Sequence, residues 1–261
     1  MIEPFVNNFQ VFLLILTRIL GLLTVAPIFS ADSIPFAVRM MFSFLFSIIL
    51  FPFASGYMPP VPGSMGTYAL LVASEIFIGI LIGFLVNIIF ASFQMAGEFF
   101  SVQIGFGYTE VLDPVSQTSN PVISTLKNLM AIVIFLITGG HRILFESLAF
   151  SFEKIQMIRF TSEVNSGILK TFEYTFGAMF LVAFKIALPV LGILFLITIA
   201  EALMGKAASQ MNIMYLSFPV KLVVGIFVLI AIMPFIEKQM VHGFEITFDR
   251  INNLLSEWPD K

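Results

Sequence analysis

The stretch AGEFFSVQIGFGYTEVLDP, Ala96 to Pro114, lies between two long apolar runs and breaks them with Glu98, Gln103, Glu110 and Asp113 and with glycines at Gly97, Gly105 and Gly107. A chain this rich in glycine bends readily. Irregular backbone at membrane depth persists only where protein buries it or where it lines a water-filled cavity. The stretch therefore reads as a re-entrant or pore-associated loop.

Composition supports a membrane setting. Apolar residues make up 59% of the chain and charged residues 11%, with a mean hydropathy of +1.01, against about 45–50% and about 25% in soluble domains. No hydrophilic block is long enough to form a separate soluble domain, so residues 1–261 read as a single helical domain. A net charge of −3 excludes a basic surface for nucleic acid. Without cysteine there is no disulfide, thiol nucleophile or thiolate metal site. The 32 phenylalanines and 14 methionines suit large, adaptable apolar contacts as well as a simple lipid-facing surface.

Moving outward from the opening stretch, the chain divides into about six apolar segments. Phe9 to Phe29 holds Arg18 inside the run, unlike a secretory signal, whose charge precedes its apolar core; it reads as a retained first helix. Ile34-Pro35 then breaks the chain, and Phe36 to Phe53 follows with Arg39 near its start. Pro59, Pro60, Pro62, Gly63 and Gly66 form a stiff, turn-rich connector. Tyr68 to Gln94 carries Glu75, with Gly79 and Gly83 four apart, a spacing that lets helix backbones approach closely, within one protein or between copies. Beyond the loop region, 96–125, lie Leu129 to Ile137, a second arm from Ile143 to Phe152, then Tyr174 to Ala200 with Lys185 and Pro189, and Leu216 to Ile236 with Pro219, Lys221 and Pro234. In the tail, 238–261, Phe244, Phe248, Ile251, Leu255 and Trp258 form a helical apolar stripe opposite Glu245, Asp249 and Glu257. That predicts an amphipathic helix lying along a surface or a partner.

Crossing the roughly 30 Å hydrocarbon layer takes about 20 apolar residues, and nearly every run here is shorter or interrupted by charge. Charges in such runs face protein or a wet cavity and pair there. Arg18, Arg39, Glu75, Lys185 and Lys221 are therefore the ionisable residues of interest. Arg39 and Lys221 stand near segment ends, within snorkelling distance of headgroups; Arg18, Glu75 and Lys185 fit a buried ion pair or a transport role. The prolines predict kinked or broken helices, and the helices are expected to pack largely on other subunits.

Catalytic signatures are missing: there is no phosphate-binding loop, HExxH or nucleophile elbow, and no cluster with metal-ligand spacing. Ser124-Thr125-Leu126-Lys127 matches a bare SxxK pattern without its companion motifs. The expectation is a protein that is not an enzyme and needs no cofactor or metal.

Several stretches in collinear order resemble the FliR family of flagellar export-gate proteins and its counterpart in virulence type III secretion. They are Pro27-Ile28-Phe29-Ser30 with Ile34-Pro35 and Arg39; Glu75 with Gly79 and Gly83; Ala96-Gly97-Glu98-Phe99, Gln103-Ile104-Gly105 and Asp113-Pro114; Gly140-His141; and Lys206, Gln210, Met211 and Asn212 before Ser217-Phe218-Pro219. Lys206 stands where the family has arginine, and Ser209 where it has proline before Gln210.

The resemblance implies an all-α membrane protein of kinked helical hairpins, packed in a hetero-oligomeric export-gate core. Its location would be the flagellar basal body in the bacterial inner membrane. Implied partners are FliP-like and FliQ-like membrane subunits, FlhB-like and FlhA-like components, unfolded export substrates and lipid. The block from 96 to 114 would then plug the channel before secretion. Gly97, Gly105 and Gly107 would let it fold inward, Phe99, Phe100, Phe106 and Tyr108 would seal it, and Glu98, Gln103, Asp113 and Pro114 lie within the same matched block. Glu98 and Asp113 would anchor its ends. A competing reading is a small secondary transporter with a midplane site around Glu75 and Lys185.

Overall fold

The computed structural model describes residues 2–31, 34–104, 122–155, 162–207 and 213–256. Among these, 91% are helical and none is in a strand. The helices are α1 (Ile2–Val25), α2 (Phe36–Ala54), α3 (Met65–Ile104), α4 (Val122–Ile137), α5 (Gly140–Lys154), α6 (Ser162–Ala207), α7 (Ile213–Ala231) and α8 (Met233–Ser256), with a short 3₁₀ turn at Ser55–Tyr57. An all-α fold was the sequence expectation, and four of these helices are long and apolar enough to cross a membrane, or up to six if each bent pair, α4 with α5 and α7 with α8, forms one span.

Two helices outrun the apolar runs that suggested them. α3 has 40 residues and α6 has 46. The expected irregular backbone at Ala96 is corrected: residues 96–104 continue α3 without a break. Gly97 is a single glycine among good helix formers, and one helical glycine costs only about 1 kcal/mol, less than the packing of its neighbours recovers. α6 likewise runs through Pro189 without a break. The break in the last span instead falls at Ile232, before Pro234, and bends α7 from α8 by 60°.

The chain packs as two compact units. The first comprises Met1–Ile89, Gly139–Phe176 and Phe244–Lys261; the second comprises Phe90–Thr138 and Gly177–Gly243.

In the first unit, α1 buries Leu14, Ile15, Ile19, Leu22 and Leu23 completely and meets α3 almost backbone to backbone. A Cβ on Gly79 would collide with the carbonyl oxygen of Arg18, one on Gly83 would lie 2.8 Å from the carbonyl oxygen of Leu22, and one on Gly21 would lie 2.5 Å from that of Ile76. The glycine spacing read from sequence is thus an internal helix contact. A tight turn joins α1 to α2: Ser30 N–H donates to Ala26 O at 3.0 Å, and Ile28 adopts a φ of 74°, a conformation that is strained for a β-branched residue. Phe29, Phe42, Phe46 and Phe145 cluster beside the turn, with Phe46 and Phe145 4.4 Å apart. The stripe of α8 is buried at Phe244, Phe248, Ile251 and Leu255, while Glu245 and Asp249 face outward. Asn252 pairs with Ser147, and the Arg250 guanidinium lies 3.5 Å from the Tyr174 ring centroid. The surface that the tail covers therefore belongs to its own chain. Trp258 and Glu257 lie outside the described residues.

In the second unit, Phe90 packs edge-on against Phe135 of α4 at 5.6 Å, and Phe99 of α3 lies 5.4 Å from Phe184 of α6. Val182, Ala183, Ile186, Ala187 and Val190 give α6 one buried stripe. Leu188, Phe195 and Leu196, each more than half exposed, stand on its outer side.

Candidate functional site

The charges singled out from sequence fall into distinct environments. Arg18 and Glu75 lie 57 residues apart in sequence and are both fully buried; Arg18 Nε donates to Glu75 Oε2 at 2.6 Å. The α1–α3 contact brings them together, since glycine at position 79 lets the two backbones close around the pair. The remaining guanidinium nitrogens are also used. Nη1 donates to Ser151 Oγ at 3.1 Å and Nη2 to the Ile155 carbonyl at 2.8 Å, and the guanidinium carbon stands 4.2 Å from the centre of the Phe152 ring. Ser151 Oγ in turn donates to Leu148 O at 2.6 Å. One arginine thus fastens α1, α3 and the end of α5. Glu75 Oε1 is buried without a hydrogen-bond partner. Paired in this way the group is neutral as a whole, which is how charge persists where water is absent.

Arg39 turns back to its own connector: Nη2 donates to Ala31 O at 2.8 Å, tying the start of α2 to the strained turn. In the second unit, Lys221 of α7 lies 3.2 Å from Glu201 of α6, both mostly buried. Lys221 stands near a segment end, where snorkelling is expected, and is instead half of an ion pair. Lys185 is exposed on α6.

Of the loop residues, Gly97, Glu98, Phe99, Phe100 and Gln103 all lie on α3. Gly97 and Phe100 are buried, Glu98 is exposed, and Gln103 is half-buried. Gly105, Phe106, Gly107, Tyr108, Asp113 and Pro114 lie outside the described residues, as do the side chains of Ser124 and Lys127. Ile104, the last described residue before that segment, is fully buried and sits against Gly225 of α7. No group of three or more potential metal-binding side chains occurs among the described residues.

The sequence reading missed the partners. Ser151 lies in the segment expected as a second arm and Ile155 just beyond it, and Glu201, one residue past the apolar run that ends at Ala200, lies in the last turns of α6. A signal for Glu201 existed: it and Lys221 end and begin consecutive apolar runs, where opposite charges can meet across a hairpin.

Long helices, two bent pairs and charges neutralised inside the helix packing define an all-α membrane protein. Residues 9–246 match the family described as bacterial export proteins, family 1. The chain belongs to that family. It is similar to the flagellar biosynthetic protein FliR of Bacillus subtilis (strain 168), 28% identical over 252 residues and 96% of each chain. It is also similar to FliR of Escherichia coli (strain K12), 29% identical over 244 residues, 94% of this chain and 92% of that one. FliR of Borreliella burgdorferi is 28% identical over 242 residues, covering 92% of this chain and 89% of that one.

Proposed function

We propose that this chain is a non-enzymatic subunit of the type III flagellar export gate, helping to form and to plug the channel through which unfolded substrates cross the inner membrane. The observation that carries this reading is the family match, which runs collinearly over nearly the whole chain and so includes its helices, charges and loop block together. Its partners in the gate are FliP-like and FliQ-like membrane subunits, with FlhB-like and FlhA-like components beside them. Broad apolar faces on α2, α6 and α7 support packing against lipid and neighbouring subunits.

The plug is the segment from 105 to 114, anchored by the end of α3. Phe99 and Phe100 hold that end in the helix packing, while Phe106 and Tyr108 supply rings for sealing. A solute site around Glu75 and Lys185 is not favoured, because Glu75 is fully buried and neutralised by Arg18 while Lys185 is exposed. Deleting residues 105–112 should raise ion leak through the assembled gate in the membrane; unchanged leak in an intact complex would rule out the plug. Mild solubilisation should recover the chain with other membrane subunits, whereas a stable homo-oligomer that binds a small solute would contradict the gate reading.

A further inference from the structure

The two sides of α6 meet different surroundings. Val182, Ala183, Ile186, Val190 and Leu194 are buried within its own unit. On the other side Leu181, Lys185, Leu188, Gly192, Phe195 and Ile199 are all exposed. They recur at steps of four, three, four, three and four, the 3.5-residue period of a seam on which a second helix packs its side chains between those of the first. From Leu181 to Ile199 this seam is about 27 Å long, close to the depth of the hydrocarbon layer.

Two residues in the seam decide what lies on it. Lys185 stands about 17 Å along the helix from Tyr174 and about 23 Å from Ala200, with no other charge between those positions. That is too deep for its stem to carry the ammonium to the headgroups. Among the described residues it has no ion-pair partner, and lipid tails offer none. A lysine at this depth faces protein or a wet cavity, and the apolar seam around it favours protein. Gly192 carries the second clue. A Cβ on Gly21, Gly79 or Gly83 would run into backbone of the same chain, whereas one on Gly192 would meet nothing within 4 Å. A small residue on an exposed seam is where the backbone of another helix can come close.

We propose that the face of α6 from Leu181 to Ile199 docks a membrane-spanning helix of another chain, and that this helix carries an aspartate or glutamate opposite Lys185. The apolar seam residues supply contact area, Gly192 lets the backbones close, and the ion pair fixes the register, as one charged residue at a seam position does in coiled coils. A second copy in parallel register would set lysine against lysine, so the occupant is a different polypeptide. The proposal rests on the export-gate reading for the assembly that supplies this helix.

The test uses the full chain in its native membrane. A photoreactive phenylalanine analogue at Leu188 should crosslink to another membrane polypeptide, through an apolar helix containing an aspartate or glutamate; crosslinks to lipid alone, or to a second copy, would overturn the proposal. Lys185→Glu should lower recovery of that polypeptide with the chain about tenfold or more, and Lys185→Arg should retain it. Chain levels in the membrane should not change, because Lys185 is exposed in its own fold. Changing the partner's carboxylate to lysine should restore recovery with Lys185→Glu; failure of that exchange while both chains are present would overturn the ion pair. Leu188→Cys in this cysteine-free chain should resist a membrane-impermeant maleimide in the intact complex, and rapid labelling there would mark a water-lined face and overturn the docking. The gate reading and the seam fail separately. A crosslinked acidic helix from a polypeptide unrelated to export would end the gate reading and keep the seam, whereas unchanged recovery of export subunits with Lys185→Glu would end the seam and keep the gate.

Discussion

α1 and α7 are both apolar helices of about membrane-spanning length, yet their own units hold them in opposite ways. α1 buries a continuous face from Leu14 to Leu23, presses its backbone against α3 through Gly79 and Gly83, and closes a fully buried ion pair. α7 turns Phe227 and Ile230 outward, 69% and 63% exposed, and between Ser217 and Ala231 buries only Gly225 fully, with Lys221 paired to Glu201. Hydropathy alone does not separate a helix buried by its own chain from one that turns its apolar face outward. The separation comes from what the small and charged residues meet.

The comparison can be broken most forcefully at the ion pair. Glu75→Leu leaves Arg18 buried without its counter-charge and should destabilise the protein by about 3–5 kcal/mol, read as loss of the chain from the membrane or a lowered melting temperature of the purified complex. Gly79→Val comes next. Its new side chain meets the backbone of Arg18, which cannot rotate away, so an overpacking cost of about 1–3 kcal/mol should appear in the same melting experiment. For α7, Lys221→Met leaves the mostly buried Glu201 without its partner and should cost about 1–3 kcal/mol, less than Glu75→Leu because this pair keeps some access to solvent. Equal effects at Glu75 and Lys221 would erase the distinction between the two helices. Arg142→Ala serves as the baseline: its 2.7 Å pair with Glu146 is exposed on both sides, and neither melting nor export should change.

Much of the architecture was legible in sequence because it rests on local chemistry. The apolar runs gave the helices, the four-residue glycine spacing gave the close contact, and the stripe from Phe244 to Leu255 gave the amphipathic α8. Arg18 and Glu75 could each be recognised as buried, because a charge inside an apolar run has few other fates. Their pairing could not be read, since it depends on which helix crosses which, over 57 intervening positions. Ser151 and the Ile155 carbonyl were hidden for the same reason.

The start of the loop is not legible because glycine and glutamate in an apolar run look like helix breakers. Gly97 is buried in the α3 packing and Glu98 points outward, so neither opposes a helix there. Pro189 does not end its helix: its neighbours Ile186, Ala187 and Val190 are buried, and packing of that stripe outweighs one lost backbone hydrogen bond.

The central claim is that the charges inside the first unit hold the protein together and take no part in moving substrate. Its most direct test replaces both partners at once, Arg18→Met with Glu75→Leu, and measures secretion of flagellar substrate per assembled complex. With no uncompensated charge left in the core, the double variant should fold and export close to the parent level, while either single change is lost from the membrane. A double variant that assembles normally and yet fails to export would contradict the account, because the pair would then act in transport itself.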